Sequence, residues 1–258
     1  MEQNKIDYLL FLADCNLILS QRSAEWCGHG PVLEQDIAIT NITLDLLGQA
    51  RNFYQYAAAL INRSAAKAVT EDTLAYLRTE REFKNLLICE LPNGDWAQTI
   101  LKQYLFSQFQ YLLFEQLQNC KDEQIAAIAS KSIKETTYHV RWSSEWVIRL
   151  GDGTDESRNR MLKAIDTLWM YTGEMFQPVS YELHVAKEGM DADVSTLKEP
   201  WLNKVKEIFQ EATLSPALLN EGNTFMQTGG KEGRHTEHLG YILTELQYLQ
   251  RVYPGCEW

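Results

Sequence analysis

The stretch KETTYHVRW, residues 134–142, lies within a segment from Asp122 to Leu150 that is predicted to form one long helix. Glu135 and His139 are four residues apart, so their side chains share a face of that helix. A carboxylate and an imidazole on one helix face are typical of metal sites inside bundles of four long helices. The class of fold and function therefore depends on whether other segments supply further long helices and further ligands.

Apolar residues recur at helical spacing along most of the chain, and no segment alternates as a half-buried strand would. In the second predicted helix this spacing is followed by Leu33, Ile37, Leu44, Leu47 and Phe53. Glycine, proline and capping residues separate the segments. The predicted helices cover about residues 4–23, 31–62, 70 to before Pro92, 95–119, 122–150 and 154–176, then shorter stretches ending near 187, over 200–212 and over 235–252.

These segments predict an all-α protein with a four-helix bundle core and additional C-terminal helices. The helices between residues 31 and 176 are long, and no repeat of 30 to 45 residues recurs, which favours a bundle over a solenoid. We expect a single domain over residues 1–258, with its core at about 4–176 and a helical extension at about 177–258.

Composition narrows the class of partner. The formal charge of −11 argues against nucleic acid or an anionic membrane, since both select for clustered Lys and Arg. The five cysteines are scattered without a CxxC pair, which favours a reducing cytoplasm. The apolar run near the N-terminus is interrupted by Asp14 and Asn16 and lacks a basic leader, so neither a signal peptide nor a membrane span is expected.

A bundle that binds two metal ions needs a Glu from each of two helices and a Glu-x-x-His motif from each of two others. No such motif occurs in the bundle region. Asp45 stands at one expected carboxylate position, but Gly48 follows where the imidazole is needed. Glu135 stands at the other, but Tyr138 follows, with His139 one residue further.

The remaining inward positions add little charge. The fourth predicted helix offers Gln103, Ser107, Gln110 and Glu115, and only the last is ionisable. Two divalent ions would lack compensating carboxylates in a low-dielectric core. We therefore expect a degenerate site, with no metal and no catalytic residue in this chain. The alternatives are one ion at Glu135 and His139, or an independent metal-dependent oxidase that also uses Asp45.

Several long blocks of the chain resemble the C subunits of bacterial phenylacetyl-CoA 1,2-epoxidases, which are ring-epoxidising multicomponent monooxygenases. The resemblance extends from near residue 7 to the C-terminus and is weakest at about 62–70 and 177–225. The blocks are SQRSAEWCGHGPVLEQDIA, LDLLGQARNFYQYAA, EREFKNLL, PNGDWAQTI, IKETTYHVRWS, RLGDGTDES and TGGKEGRHTEHLGYILTELQYLQR.

This resemblance implies a cytosolic, ferritin-like protein without catalytic residues of its own. Its expected partners are a related A subunit that carries a di-iron centre, a small B subunit, and a reductase with flavin and an iron–sulfur cluster. The complex is expected to use dioxygen and electrons from NADPH to epoxidise the ring of phenylacetyl-CoA. In the absence of the A subunit, the chain is expected to be able to form a homodimer.

The resemblance also implies that the CoA thioester lies at the contact between the A and C subunits. The block EREFKNLL then supplies Glu82, Phe83, Lys84 and Asn85 as candidate CoA contacts; an ordinary helix face is the alternative. A second candidate strip, Leu183, His184 and Val185, rests on position alone. The glycine-rich TGGKEG lacks the ending of a phosphate-binding loop and is predicted to be a flexible joint.

Overall fold

Two pairs of long helices dominate the protein in a computed structural model, which describes residues 2–190, 193–215 and 225–256. Within these ranges no β-strand occurs. The α-helices are α1 (Glu2–Ala24), α2 (Leu33–Ile61), α3 (Glu71–Tyr76), α4 (Leu87–Glu90), α5 (Trp96–Leu117), α6 (Glu123–Gly151), α7 (Asp155–Leu168), α8 (Ser180–Lys187), α9 (Lys198–Glu211) and α10 (Glu237–Val252). The all-α, ferritin-like class predicted from the sequence is confirmed.

The described residues fall into two compact units. The first unit comprises 2–92, 179–187 and 229–256, and it contains the antiparallel pair α1 and α2. Lys5 near the start of α1 donates to the Tyr56 hydroxyl near the end of α2, at 2.6 Å. Helix α1 is buried on all sides from Tyr8 to Ser20, as expected of a helix that is apolar all round. Helices α8 and α10 pack against it within this unit.

The second unit comprises residues 93–178, 188–190, 193–215 and 225–228, and it contains the antiparallel pair α5 and α6. Trp96 at the start of α5 meets Trp142 and Trp146 near the end of α6, with ring centroids 6.0 and 5.9 Å apart. Asp95 caps α5 and Asp122 caps α6 through backbone N–H groups of the first turn. Helices α7 and α9 cover this pair.

The third predicted helix, from residue 70 to before Pro92, is not continuous. Helix α3 ends at Tyr76, and only the single turn α4 and a 3-10 turn at Glu80–Glu82 follow before Pro92. The backbone N–H of Lys84 donates to the Asp14 carboxylate at 2.8 Å, and that of Leu86 donates to the Cys15 thiol sulfur at 3.3 Å. Because partners on α1 satisfy these backbone donors, the segment has no need of helical hydrogen bonds.

The second helix also differs from its predicted pattern. Phe53 is fully buried, whereas Leu33, Ile37, Leu44 and Leu47 are exposed. Leu44 and Phe53 are nine residues apart, which is two and a half turns, so they lie on opposite sides of the helix. Nowhere in the described ranges does a helix combine the length and the hydropathy that a membrane crossing requires.

Candidate functional site

The positions predicted for a degenerate metal site lie in two different units and differ in burial. On α2, Asp45 is half-buried and Gly48 is exposed. On α6, Glu135 is half-buried, Tyr138 is 43% exposed, and His139 is fully buried. On neither helix do the predicted positions share one buried face, because a glycine on one and a tyrosine on the other are at the surface.

The buried polar row on α5 carries amides and hydroxyls. Gln103, Ser107 and Gln110 are buried as predicted, and Gln103 donates to Ser107 at 2.9 Å. Glu115, predicted to face inward, is exposed. Within the described ranges no group of three or more His, Cys, Asp or Glu side chains could hold a metal ion. The donor set on these helices does not fit a di-iron centre, which needs several carboxylates and imidazoles around two ions.

A different cluster of functional groups occupies the first unit. Six charged side chains belong to the segment 78–90 or lie on the residues packed around it, and we call them the charge network. Three are acids and three are bases: Asp14, Glu90 and Glu182 with Arg78, Lys231 and His235. Every one of these groups is paired, which is the condition under which charges are tolerated in a protein interior.

Arg78 and Asp14 form the first pair of the charge network. Arg78 binds both carboxylate oxygens of Asp14 through its two terminal nitrogens, a bidentate geometry that aligns the two groups. The Tyr54 hydroxyl donates to the same carboxylate at 2.5 Å. Burial and the nearby negative charge of Asp14 raise the pKa of Tyr54 well above its ordinary value, so this hydroxyl keeps its proton.

Lys231 and Glu182 form the second pair. The ammonium group of Lys231 lies 3.0 Å from both carboxylate oxygens of Glu182, and both side chains are 1% exposed. Lys231 belongs to the TGGKEG segment, which was predicted to be a flexible joint and which lies in the first unit from Gly229 onward. Its backbone packs closely: a Cβ on Gly230 would lie 2.2 Å from the Asn85 carbonyl oxygen.

Glu90 and His235 form the third pair. His235 Nδ1 lies 2.9 Å from Glu90 Oε2, and its Nε2 lies 2.9 Å from the Phe83 carbonyl oxygen. Both partners can only accept a hydrogen bond, so both ring nitrogens must carry protons and the imidazole is cationic. Burial opposes this charge and lowers the pKa of His235, but the hydrogen bond and charge of Glu90 and the carbonyl of Phe83 outweigh it. The net pKa is raised.

The charge network fixes the block in which CoA contacts were predicted. Glu82 is exposed and accepts a bond from the backbone N–H of Thr79 at 2.6 Å. Phe83 is buried, with the Arg78 guanidinium 4.2 Å from its ring centroid. Asn85 is also buried and donates to Glu90 at 2.9 Å. Phe83 and Asn85 thus hold the backbone in place from below the surface.

Lys84 has a different position, because its side chain is 21% exposed. Its ammonium group lies 3.7 Å from Asp7 and 5.2 Å from the centroid of the Tyr181 ring. Tyr181 belongs to α8, so the structure brings both predicted strips together within the first unit. On α8, Leu183 and His184 are exposed, whereas Val185 is buried.

Sequence reasoning did not find the charge network. Its one local signal is a charge within an apolar run, such as Asp14 in LLFLADCNLIL and Glu90 in LLICEL. Their basic partners are distant in sequence: Glu90 and His235 are 145 residues apart. On the helices that carry the predicted metal positions, Arg51 pairs with Glu71 and Arg141 pairs with Glu145 at the surface.

Two comparisons with known proteins identify the family of the chain. The family model described as phenylacetic acid catabolic protein matches residues 1–258. The chain is also 48% identical over 251 residues to the C subunit of the 1,2-phenylacetyl-CoA epoxidase of Escherichia coli (strain K12), and the match covers 97% of this chain and 98% of that protein. The chain therefore belongs to the phenylacetic acid catabolic protein family.

Proposed function

We propose that this chain is a non-catalytic subunit of a cytoplasmic phenylacetyl-CoA epoxidase. It pairs with a related A subunit that carries the di-iron centre, and a small B subunit and a flavin and iron–sulfur reductase complete the system. Its own contribution is to support the A subunit and to form part of the site for the CoA thioester. Identity of 48% along nearly the whole length of an epoxidase C subunit is the observation that carries this proposal.

The donor groups on α2, α5 and α6 support the non-catalytic role. The family's chemistry needs a pair of metal ions, and the positions where ligands are expected hold a surface glycine, a surface tyrosine and buried amides. We therefore assign iron, oxygen activation and epoxide formation to the partner. Nothing in this chain's charge network places a base beside a nucleophile, since each charge is bound to its opposite.

The CoA part of the proposal concerns a surface of the first unit. Lys84, Leu183 and His184 reach solvent close to Tyr181 and would contact the thioester, with the ammonium group of Lys84 meeting a phosphate. Phe83, Asn85 and Val185 are buried and would position that surface. Glu82 lies at its edge, engaged with Thr79.

Reconstitution tests the proposal. The chain and the A subunit of the same organism are purified separately, and epoxidation of phenylacetyl-CoA is measured with the B subunit, the reductase and NADPH present. We expect turnover only when both chains are present, stoichiometric iron in the A subunit, and only trace iron in this chain.

Two results would contradict the proposal. Full activity of the A subunit without this chain would remove the supporting role. Stoichiometric iron in the isolated chain, lost on Glu135→Ala, would instead establish the alternative of an independent metal-dependent oxidase.

A further inference from the structure

Helix α2 carries an apolar stripe that the described part of this chain leaves uncovered. The stripe consists of Leu33, Ile37, Leu44 and Leu47 together with Gly48, and we call it the α2 stripe. The four large side chains are 72%, 52%, 59% and 40% exposed. At 100° per residue, all five positions fall within one face about 100° wide, the width of a typical packing face of a helix.

Gly48 is a costly residue for the middle of a helix, because glycine loses more backbone freedom on folding than any other residue. Glycine is retained in helices where another backbone approaches closely. A Cβ at Gly48 would meet no described atom of this chain within 4 Å, so no neighbour among the described residues explains the glycine. A backbone that approaches Gly48 closely would therefore lie outside the described residues.

We propose that the α2 stripe is the surface on which a helix of the A subunit packs, with closest approach at Gly48. This inference rests on the proposed function, which supplies the partner. The apolar side chains give the contact its buried core, and the glycine allows the two helix backbones to come together. Apolar cores of this kind, lined by a charged rim, are the ordinary form of a stable protein interface.

The charges beside the α2 stripe indicate whether its partner is a different polypeptide or a second copy of this chain. Glu34 and Asp45 lie along one edge of the α2 stripe, and Asp36 lies along the other. Arg51, one turn beyond Leu47 on the same face, is already paired with Glu71, so the acidic groups outnumber the bases around the stripe. If two copies paired through this face, whether parallel or antiparallel, an acidic edge would meet an acidic edge. Since each copy also carries a formal charge of −11, pairing of two copies through the α2 stripe is opposed both by the local charges and by the net charge. The helix that fits has an apolar stripe of its own, flanked by Lys or Arg.

Titration calorimetry of the purified full-length chain with the purified A subunit tests this assignment. Gly48→Gln places a bulky side chain at the point of closest approach, and Leu44→Asn removes an apolar contact from the centre of the stripe. Ala59→Gln is the matched control, because Ala59 is an exposed small residue three turns further along the same helix. Thermal unfolding of each isolated variant checks its fold.

We expect Gly48→Gln to weaken the complex at least tenfold, Leu44→Asn to weaken it severalfold, and Ala59→Gln to bind like the unchanged chain. Binding of Gly48→Gln and Leu44→Asn at full affinity would overturn the assignment while leaving the proposed function intact. Failure of the unchanged chain to bind the A subunit would overturn the proposed function itself. Self-association that Gly48→Gln abolishes, seen by sedimentation of the chain alone, would show that a second copy occupies the stripe and would overturn the choice of partner.

Discussion

At the scale of single residues, Lys84 differs from the buried and neutralised charges of the charge network, because its side chain reaches the surface. Its backbone is held by Asp14 inside the unit, while its side chain lies partly in solvent near Asp7. A lysine whose main chain is fixed and whose ammonium group is accessible is well arranged to meet an anionic ligand, because little order has to be gained on binding.

Lys84→Glu should weaken the use of phenylacetyl-CoA by the reconstituted complex. Replacing a cation by an anion removes a charge-assisted bond to phosphate and adds repulsion, so we expect KM to rise about tenfold. Steady-state kinetics measures this, with Lys67→Glu as the control, since Lys67 is an exposed lysine of the first unit outside both candidate strips. Equal KM values for the two variants would remove Lys84 from the CoA site.

His235 should make the stability of the chain depend on pH. Because its pKa is raised in the folded state, its contribution is complete below the unfolded pKa of about 6.5 and is lost as pH rises through the folded value. We expect the difference in free energy of unfolding between the unchanged chain and His235→Gln to shrink as the pH rises above about 6.5. Urea unfolding at several pH values measures it, and a difference that stays constant would contradict the cationic assignment.

At the scale of elements, the segment Gly230–Glu232 is a short 3-10 turn whose glycine allows two stretches of backbone to meet. Gly229 and Gly233 flank it with φ of 133° and 78°, a region that favours glycine. The turn delivers Lys231 to Glu182 and is followed by His235, which reaches Glu90. This turn and the residues directly after it thus supply two of the three bases in the charge network.

Gly230→Ala should destabilise the chain, whereas Gly48→Ala should stabilise it. The new methyl at position 230 would lie 2.2 Å from the Asn85 carbonyl oxygen, so backbone must move, and we expect a loss of about 1–3 kcal/mol. At position 48 the methyl meets no described atom, and the helix gains about 0.5–1 kcal/mol. Urea unfolding of both variants measures the two changes. Equal effects would show that close packing at residue 230 does not govern stability.

Helix periodicity predicted the long elements well and the short ones poorly. Asp95, Asp122 and Thr154 correctly marked the starts of α5, α6 and α7, because an N-cap acts on its own first turn. The segment after α3 was wrongly predicted to be helical. Its irregular path depends on hydrogen bonds to Asp14 and Cys15, which lie some 70 residues earlier in the chain. Local pattern does not contain that information.

At the scale of the whole molecule, the parts of the candidate site that were missed are those that depend on contacts between residues distant in sequence. Residues 82–85 and 183–185 were selected by resemblance and position, and both lie in the first unit beside Tyr181. The charge network that holds them was missed, because its pairs join positions such as Glu182 and Lys231 that no sequence spacing relates. Helical spacing also assigned Leu44 and Phe53 to one pattern, although Phe53 is buried and Leu44 is exposed. The exposure of Leu44 is what identifies the proposed surface for a partner.

The assembly of the first unit from both ends of the chain has a consequence for protein synthesis. Asp14 acquires its arginine early, but Glu90 and Glu182 leave the ribosome well before Lys231 and His235 have been translated. Until then, the nascent polypeptide carries two carboxylates that cannot enter an interior without their counterions. Residues 93–178 emerge as one uninterrupted run, so the helices they contain can begin to pack before residues 229–256 of the first unit have been translated.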